Sequence, residues 1–327
     1  MIIDSTLGAT LLALAALTSL ATVSVARAFP RSIPRVFGVS ALLATTLYGT
    51  AAFGGGLAHA SRATPPSAPR RVVSLNLCAD QLVLALADRS QIAGLTRNAA
   101  SVEMSGEAAR AHGLPILGNS AEQLLAMKPD LVIGMPARRS AAMRMLNSQN
   151  YPMLDLTSAD TLDAIYASIR AAAAALGHPS RGEAMIAQMK ADLARLPKNG
   201  GGKVAAYYQR RGFMTGTGTL IDDLMTRMGL VNLAAKLGKP PLSQLSVEEM
   251  VAARPDYLIV ESATAKVTDQ GTEMLHHPAL RDIPRISVPQ AWTVCGGRAY
   301  VRAARTIARQ IAANEAVGDR RDAIRAR

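Results

Sequence analysis

One fourteen-residue pattern occurs twice in this chain, and it constrains the fold more than any other feature. SAEQLLAMKPDLVI at residues 120–133 returns as SVEEMVAARPDYLI at residues 246–259, 126 positions later. Each copy predicts a short helix, a Pro-Asp turn and a buried strand. Ser120 and Ser246 suit the N-cap, where a hydroxyl accepts from the free amides of the first turn. Pro129 and Pro255 exclude the residue before them from helical geometry and so end each helix. The apolar runs after Asp130 and Asp256 are short and rich in branched side chains, as expected of parallel strands covered on both faces. Two copies this far apart predict two similar α/β lobes. Glu122 and Glu248 fall early on the twin helices, facing solvent, where a carboxylate at least complements the helix dipole.

The text between the copies extends this pattern. Strands are expected at 71–76, 92–96, 114–117, 131–134 and 152–156, with helices after the first and over 138–147, making a first lobe of residues 70–157. Strands alternating with helices imply a parallel sheet with right-handed crossovers. Residues 158–201 read differently, as helices at 161–176 and 181–196 followed by a Gly-rich exit. The second of these spans about 24 Å at 1.5 Å per residue, enough to carry the chain from one lobe to the other. A second lobe at 202–318 has strands at 204–208, 257–260 and 286–288, and helices at 220–228 and 300–313; residues 319–327 form a charged, solvated tail. The fold class is therefore α/β, with two lobes of central parallel sheet flanked by helices and joined by one long α-helix.

Location is read from the first sixty residues. Arg27, Arg31 and Arg35 precede an apolar run over 36–57 that ends in Ala58-His59-Ala60. A charged start, an apolar middle and a small-x-small end predict an export signal cut after Ala60, delivering the chain to the periplasm. An uncleaved anchor is the alternative, and a separate apolar run at 7–26 leaves open a misassigned start or a membrane helix. Residues 61–69, rich in Ala, Ser and Pro, read as a linker. The net charge of +12 is only partly due to the leader, which carries three arginines against Asp4. A basic surface attracts anions. The cations are nevertheless scattered, without aromatic interleaving, which argues against nucleic acid.

Two cysteines, Cys78 and Cys295, are 217 positions apart. In an oxidising compartment they can pair, tying the start of the mature chain to its end. No CxxC or Cys/His cluster supports a structural zinc.

The order of RVVSL at 71–75, IAGL at 92–95, the twin pattern, GTGTL at 216–220 and WTVCGG at 292–297 resembles the helical-backbone (class III) periplasmic binding proteins of cobalamin, ferric-siderophore and haem ABC importers. The likeness covers roughly residues 70–315. It implies ligand capture in a cleft between the lobes, with no catalysis and no resident cofactor. It also implies that the surface glutamate before each Lys/Arg-Pro-Asp strand, here Glu122 and Glu248, docks onto the membrane permease.

Ligands of open parallel sheets sit beyond the carboxyl ends of the strands. That rule nominates Asn76, Cys78 and Asp80 after the first strand, Thr96 and Arg97 after the second, and Met135 and Arg138 after the fourth. From the second lobe it nominates Tyr208, Gln209, Thr217, Thr219, Trp292, Cys295 and Arg298. Each has a plainer role: Asn76, Asp80, Thr217 and Thr219 as caps, Trp292 as packing, and one of Tyr207 and Tyr208 as core. Arg97 and Arg298 are favoured for an anionic ligand. Cys78 and Cys295 are either bridged across the lobes or free thiols beside a metal chelate.

The ligand expected is a ferric siderophore or cobalamin, with haem as the alternative. His112, His178, His276 and His277 have no metal-ligand spacing. Two readings of other classes stand beside these: an exported thiol hydrolase using Cys78, and a membrane-anchored sensor or scaffold with the same fold.

Overall fold

The computed structural model describes residues 68–118, 120–135 and 151–325. The expected signal at 1–60, the apolar run at 7–26, the helix at 138–147 and the candidate Arg138 lie outside the described residues, as does all of the linker except 68–69.

The first lobe runs β1 (Val72–Ser74), α1 (Leu77–Leu86), β2 (Ile92–Thr96), α2 (Ala108–Ala111), β3 (Ile116–Leu117), α3 (Ala121–Ala126), β4 (Leu131–Gly134) and β5 (Met153–Asp155). Its five strands form a parallel sheet in the order β3-β2-β1-β4-β5. Two helices follow, α4 (Leu162–Ala175) and α5 (Pro179–Ala194). Pro179 starts α5 where a missing N–H costs nothing. The inter-lobe rod predicted at 181–196 is thus α5, two residues earlier at each end, and it packs back along α4 as a helical hairpin.

The second lobe contains β6 (Val204–Tyr207), β7 (Phe213–Thr215), α6 (Leu220–Arg227), β8 (Val231–Asn232), α7 (Leu233–Lys236), β9 (Leu242–Gln244), α8 (Val247–Ala253), β10 (Tyr257–Glu261), α9 (Gln270–Glu273), β11 (Arg285–Val288) and α10 (Ala299–Arg325). Its parallel sheet has the order β11-β10-β6-β8, and β7 pairs antiparallel with β9 as a small ribbon. The ribbon has no counterpart in the sequence reading, because three-residue strands carry too little alternation to register. The tail also differs: α10 continues without a break to Arg325, so residues 319–325 are helical. Beyond Ile311 no described residue of α10 is buried, so this last stretch is a solvated rod.

Period-two alternation sets the layers. Val72, Leu131 and Ile133 from the first sheet, and Tyr207, Tyr257 and Ile259 from the second, point into one continuous core completed by α4, α5 and α10. Their strand neighbours point the other way. Val73 and Val132 meet Leu124 of α3, while Leu258, Val260 and Tyr208 meet Val247 and Met250 of α8. The twin helices therefore cover the outer faces of the two sheets in matching places.

The Pro-Asp turns follow the same logic. Lys128 and Arg254 both take left-handed backbone, at φ 44° and 45°. The carboxylate of Asp130 then accepts the amides of Arg70 and Arg71 at 2.7 and 2.8 Å, and that of Asp256 accepts the Val204 amide at 2.7 Å. Each aspartate thus ties the start of the first strand of its lobe to the start of the repeat strand.

A seam joins the lobes at the carboxyl ends of the strands. Cys78, in the first turn of α1, is bridged to Cys295 in the loop before α10, with Cα atoms 5.3 Å apart. Glu107 is 6% exposed and receives the Arg298 guanidinium through Nε at 3.1 Å and through Nη2. Neighbouring side chains press on the backbone here closely enough that two glycines leave no room for a Cβ. A Cβ on Gly106 would lie 2.8 Å from the Ala299 Cβ, and one on Gly296 would lie 2.4 Å from Ile165.

Opening the Cys78–Cys295 bridge frees a 217-residue loop in the unfolded chain. The Cys78→Ala/Cys295→Ala variant is expected to lose about 2–5 kcal/mol of unfolding free energy in urea, and the oxidised wild type to gain two hydrogens in intact mass on reduction. Asp130→Ala leaves two amides without their acceptor and is expected to cost about 1–3 kcal/mol in the same titration.

Candidate functional site

The nominated residues separate into those that the fold itself uses and those left with free polar groups. Asn76 caps α1, its side chain accepting from the Ala79 amide at 3.1 Å. Asp80 is fully buried and accepts the Thr96 amide at 3.0 Å and the Thr96 hydroxyl. Burial raises its pKa, and the Thr96 bonds oppose that rise. Asp80 and Thr96 therefore form an internal tie between the start of α1 and the end of β2, which corrects Asp80 as a ligand contact. Thr219 likewise caps α6, accepting from the Asp222 amide at 3.3 Å.

Tyr208 is also corrected. It is completely buried in the outer core of the second lobe and donates to the Leu245 carbonyl at 2.8 Å; burial pushes its pKa up to about 12. Tyr207 is buried as well, on the shared-core side, with its hydroxyl 3.1 Å from the Thr293 hydroxyl. Both tyrosines are core because this central strand is covered on both faces. Gln209 bridges the Glu261 carboxylate at 3.0 Å and the Thr215 hydroxyl at 3.1 Å.

Arg298, favoured for an anionic ligand, has its fork engaged by Glu107 instead. Nothing in the sequence marks Glu107, 191 positions away, as the partner. Arg97 is exposed and makes no side-chain hydrogen bond or ion pair among the described residues. Thr217, just before the positive-φ Gly218, is half-buried. Met135 and Trp292 are half-buried and lean on the shared core from the ends of their strand and loop.

The bridge ends the thiol-hydrolase reading: with Cys78 bonded to Cys295, no free cysteine exists among the described residues. Three of the four described histidines are engaged, and the fourth, His112, is exposed at the end of α2. His178 meets Gln91 at 2.8 Å, His276 meets the Thr264 carbonyl at 2.8 Å, and His277 accepts the Ala279 amide at 3.2 Å. Among the described residues, no group of three or more His, Cys, Asp or Glu is placed to hold a metal ion. No described helix is long and apolar enough to cross a membrane.

Glu122 and Glu248 are both exposed in the first turns of α3 and α8. In each, the residue's own amide, followed by the serine cap at Ser120 or Ser246, holds the carboxyl below the usual carboxylate range. They are equivalent anionic points, one per lobe.

Several known proteins resemble this chain in sequence or in fold. A vitamin B12-binding protein of Pectobacterium carotovorum is 28% identical over 207 residues, which span 60% of this chain and 72% of that protein. The periplasmic heme-binding protein RhuT of Roseiflexus sp. RS-1 superposes with a TM-score of 0.59 at 26% identity, over 74% of this chain and 97% of its own. The vitamin B12-binding protein BtuF of Vibrio cholerae shares the fold, with a TM-score of 0.60 at 17% identity, over 76% of this chain and 98% of its own. The family model described as periplasmic binding protein matches residues 72–286. With two parallel-sheet lobes on one helical spine and the family model matched over residues 72–286, this chain belongs to the periplasmic binding protein family, in its class III form.

Proposed function

We propose that this chain is the exported receptor of an ABC importer. Its ligand is a metal chelate already saturated by its own donor atoms, a cobalamin-type corrinoid first and a ferric siderophore second. The observation that carries this reading is the division of labour at the strand ends. Tyr207 and Tyr208 spend their hydroxyls inside the fold, and His178, His276 and His277 are engaged elsewhere. Of the nominated residues, those whose polar groups the fold does not consume are the Trp292 indole, the Thr217 hydroxyl, the Met135 thioether and the unpaired Arg97 guanidinium. Such groups recognise the rim of a chelate and leave its metal alone.

The Pectobacterium relative supports the corrinoid. RhuT, named for heme binding, supports haem as the alternative, which calls for a Tyr or His ligand to iron. The seam of bridge and ion pair favours a preformed surface, so capture costs little ordering. Delivery then uses Glu122 and Glu248 as a two-point electrostatic dock on permease arginines, setting register and association rate. Export by a signal cut after Ala60 completes this reading.

Titration of the Trp292 fluorescence with cyanocobalamin, a ferric hydroxamate and haemin tests the ligand. Cyanocobalamin is expected to quench it with a Kd of about 1 μM or tighter, and Trp292→Phe to abolish the signal. Binding of haemin alone would transfer the chain to the haem alternative. For the dock, Glu122→Ala/Glu248→Ala is expected to leave chelate affinity unchanged while cellular uptake falls; full uptake by this variant removes the docking role.

A further inference from the structure

A groove of about 540 Å³ lies between α5 and the start of α10, and neither Trp292, Thr217, Met135 nor Arg97 is among its lining residues. Its walls carry Arg110, Arg181, Arg298, Arg302 and Arg305, drawn from α2, α5 and the start of α10, while Asp192 is the one acid among its described lining residues. Its floor is apolar, with Met185, Met189 and Val301 all buried.

Nearly all of these guanidiniums are held in place, and most of their donors remain unspent. Arg110 donates to the Leu84 carbonyl at 3.3 Å and meets Glu107 at 3.2 Å. Arg181 donates to the Leu86 carbonyl and pairs with Asp88 at 2.8 Å. Arg302 donates to the Gly106 carbonyl at 3.1 Å, Arg298 holds Glu107, and Arg305 reaches Asp192 only at 3.9 Å. A guanidinium has five N–H donors in a planar fork that matches an oxyanion. Here four of the five are fixed by one or two of them, so little of their side-chain entropy remains to be lost on capture, while Arg305 keeps its whole fork free. Glu107, Asp88 and Asp192 together offset only part of five like charges, and an incoming anion relieves the remainder.

We infer that this groove is a second binding site, for an organic anion with a phosphate-type head seated on the arginines and an apolar body on the Met185–Val301 floor. It is independent of the chelate reading: it shares only Arg298 with the strand-end candidates, and that reading does not use Arg298. A ligand here would tie α2, α5 and α10 together and raise the stability of the assembled lobes by mass action.

The test uses the full mature chain with hexyl phosphate, inorganic pyrophosphate, and phosphatidylglycerol or phosphatidylcholine vesicles, by calorimetric titration, thermal unfolding and co-sedimentation. Hexyl phosphate is expected to bind, to raise the unfolding midpoint and to weaken with added salt. Arg302→Gln/Arg305→Gln is expected to bind it about tenfold or more weakly, with an unchanged midpoint in its absence. If the double variant folds poorly, Arg305→Gln alone, which loses only the long contact to Asp192, serves in its place. Retention on phosphatidylglycerol but not phosphatidylcholine vesicles, lost in the variant, identifies a lipid headgroup as the source; binding of hexyl phosphate alone identifies a free organic phosphate. Pyrophosphate binding as tightly as hexyl phosphate would overturn the role of the apolar floor. Binding of neither hexyl phosphate nor phosphatidylglycerol vesicles, or equal binding by the variant, would overturn the site.

Discussion

Both sheets bury one face in the same apolar core, and the rest of the molecule depends on that sharing. Val72 and Ile133 from one lobe, and Tyr207 and Ile259 from the other, pack with the helices α4, α5 and α10 in one continuous cluster. Two lobes built this way cannot separate without exposing apolar surface, at roughly 25 cal/mol for each Å². The cross-lobe bridge and the Glu107–Arg298 pair then sit over a junction that the core already closes. They fix its geometry more than they create it. Glu107 is held from both sides, by the Arg298 fork and by Arg110 at 3.2 Å, so this buried carboxylate is paired out of water.

This arrangement sets what chemistry is left at the strand ends. The residues with the strongest intrinsic chemistry there, two cysteines, two tyrosines and a buried aspartate, are all used to build the frame. What stays accessible is weakly basic, weakly nucleophilic and suited to contact. The surplus of arginine is arranged differently: it collects along α10 and the facing helices, where backbone carbonyls and a few acids hold it without neutralising it.

The twin pattern was the most legible part of the molecule. Its serine caps, its proline stops and the strands after each Pro-Asp all follow from local chemistry, and β2 and β4 have the predicted bounds. The carboxylate ties of Asp130 and Asp256 were not legible, because they join a turn to a strand some 50 to 60 residues earlier. Gly106 and Gly296 show the same limit. A glycine in text announces freedom of backbone, and only the packed structure shows that these two are needed for room. Capping threonines and asparagines could be read either as caps or as ligand contacts from the chain alone; the amide each side chain faces decided the matter at Asn76 and Thr219.

Sequence by itself determined the α/β class, the two-lobe repeat, the helical spine and the placement of Glu122 and Glu248 on matching helices. Each of these rests on periodicity, capping or proline, which act within a few residues of one another. Tertiary structure decided that Cys78 meets Cys295, that Glu107 takes Arg298, that Tyr208 is core, and that five arginines from three segments share one groove. Those outcomes depend on which faces meet when two sheets close on one hairpin, and no local signal encodes a meeting between residues some 200 positions apart.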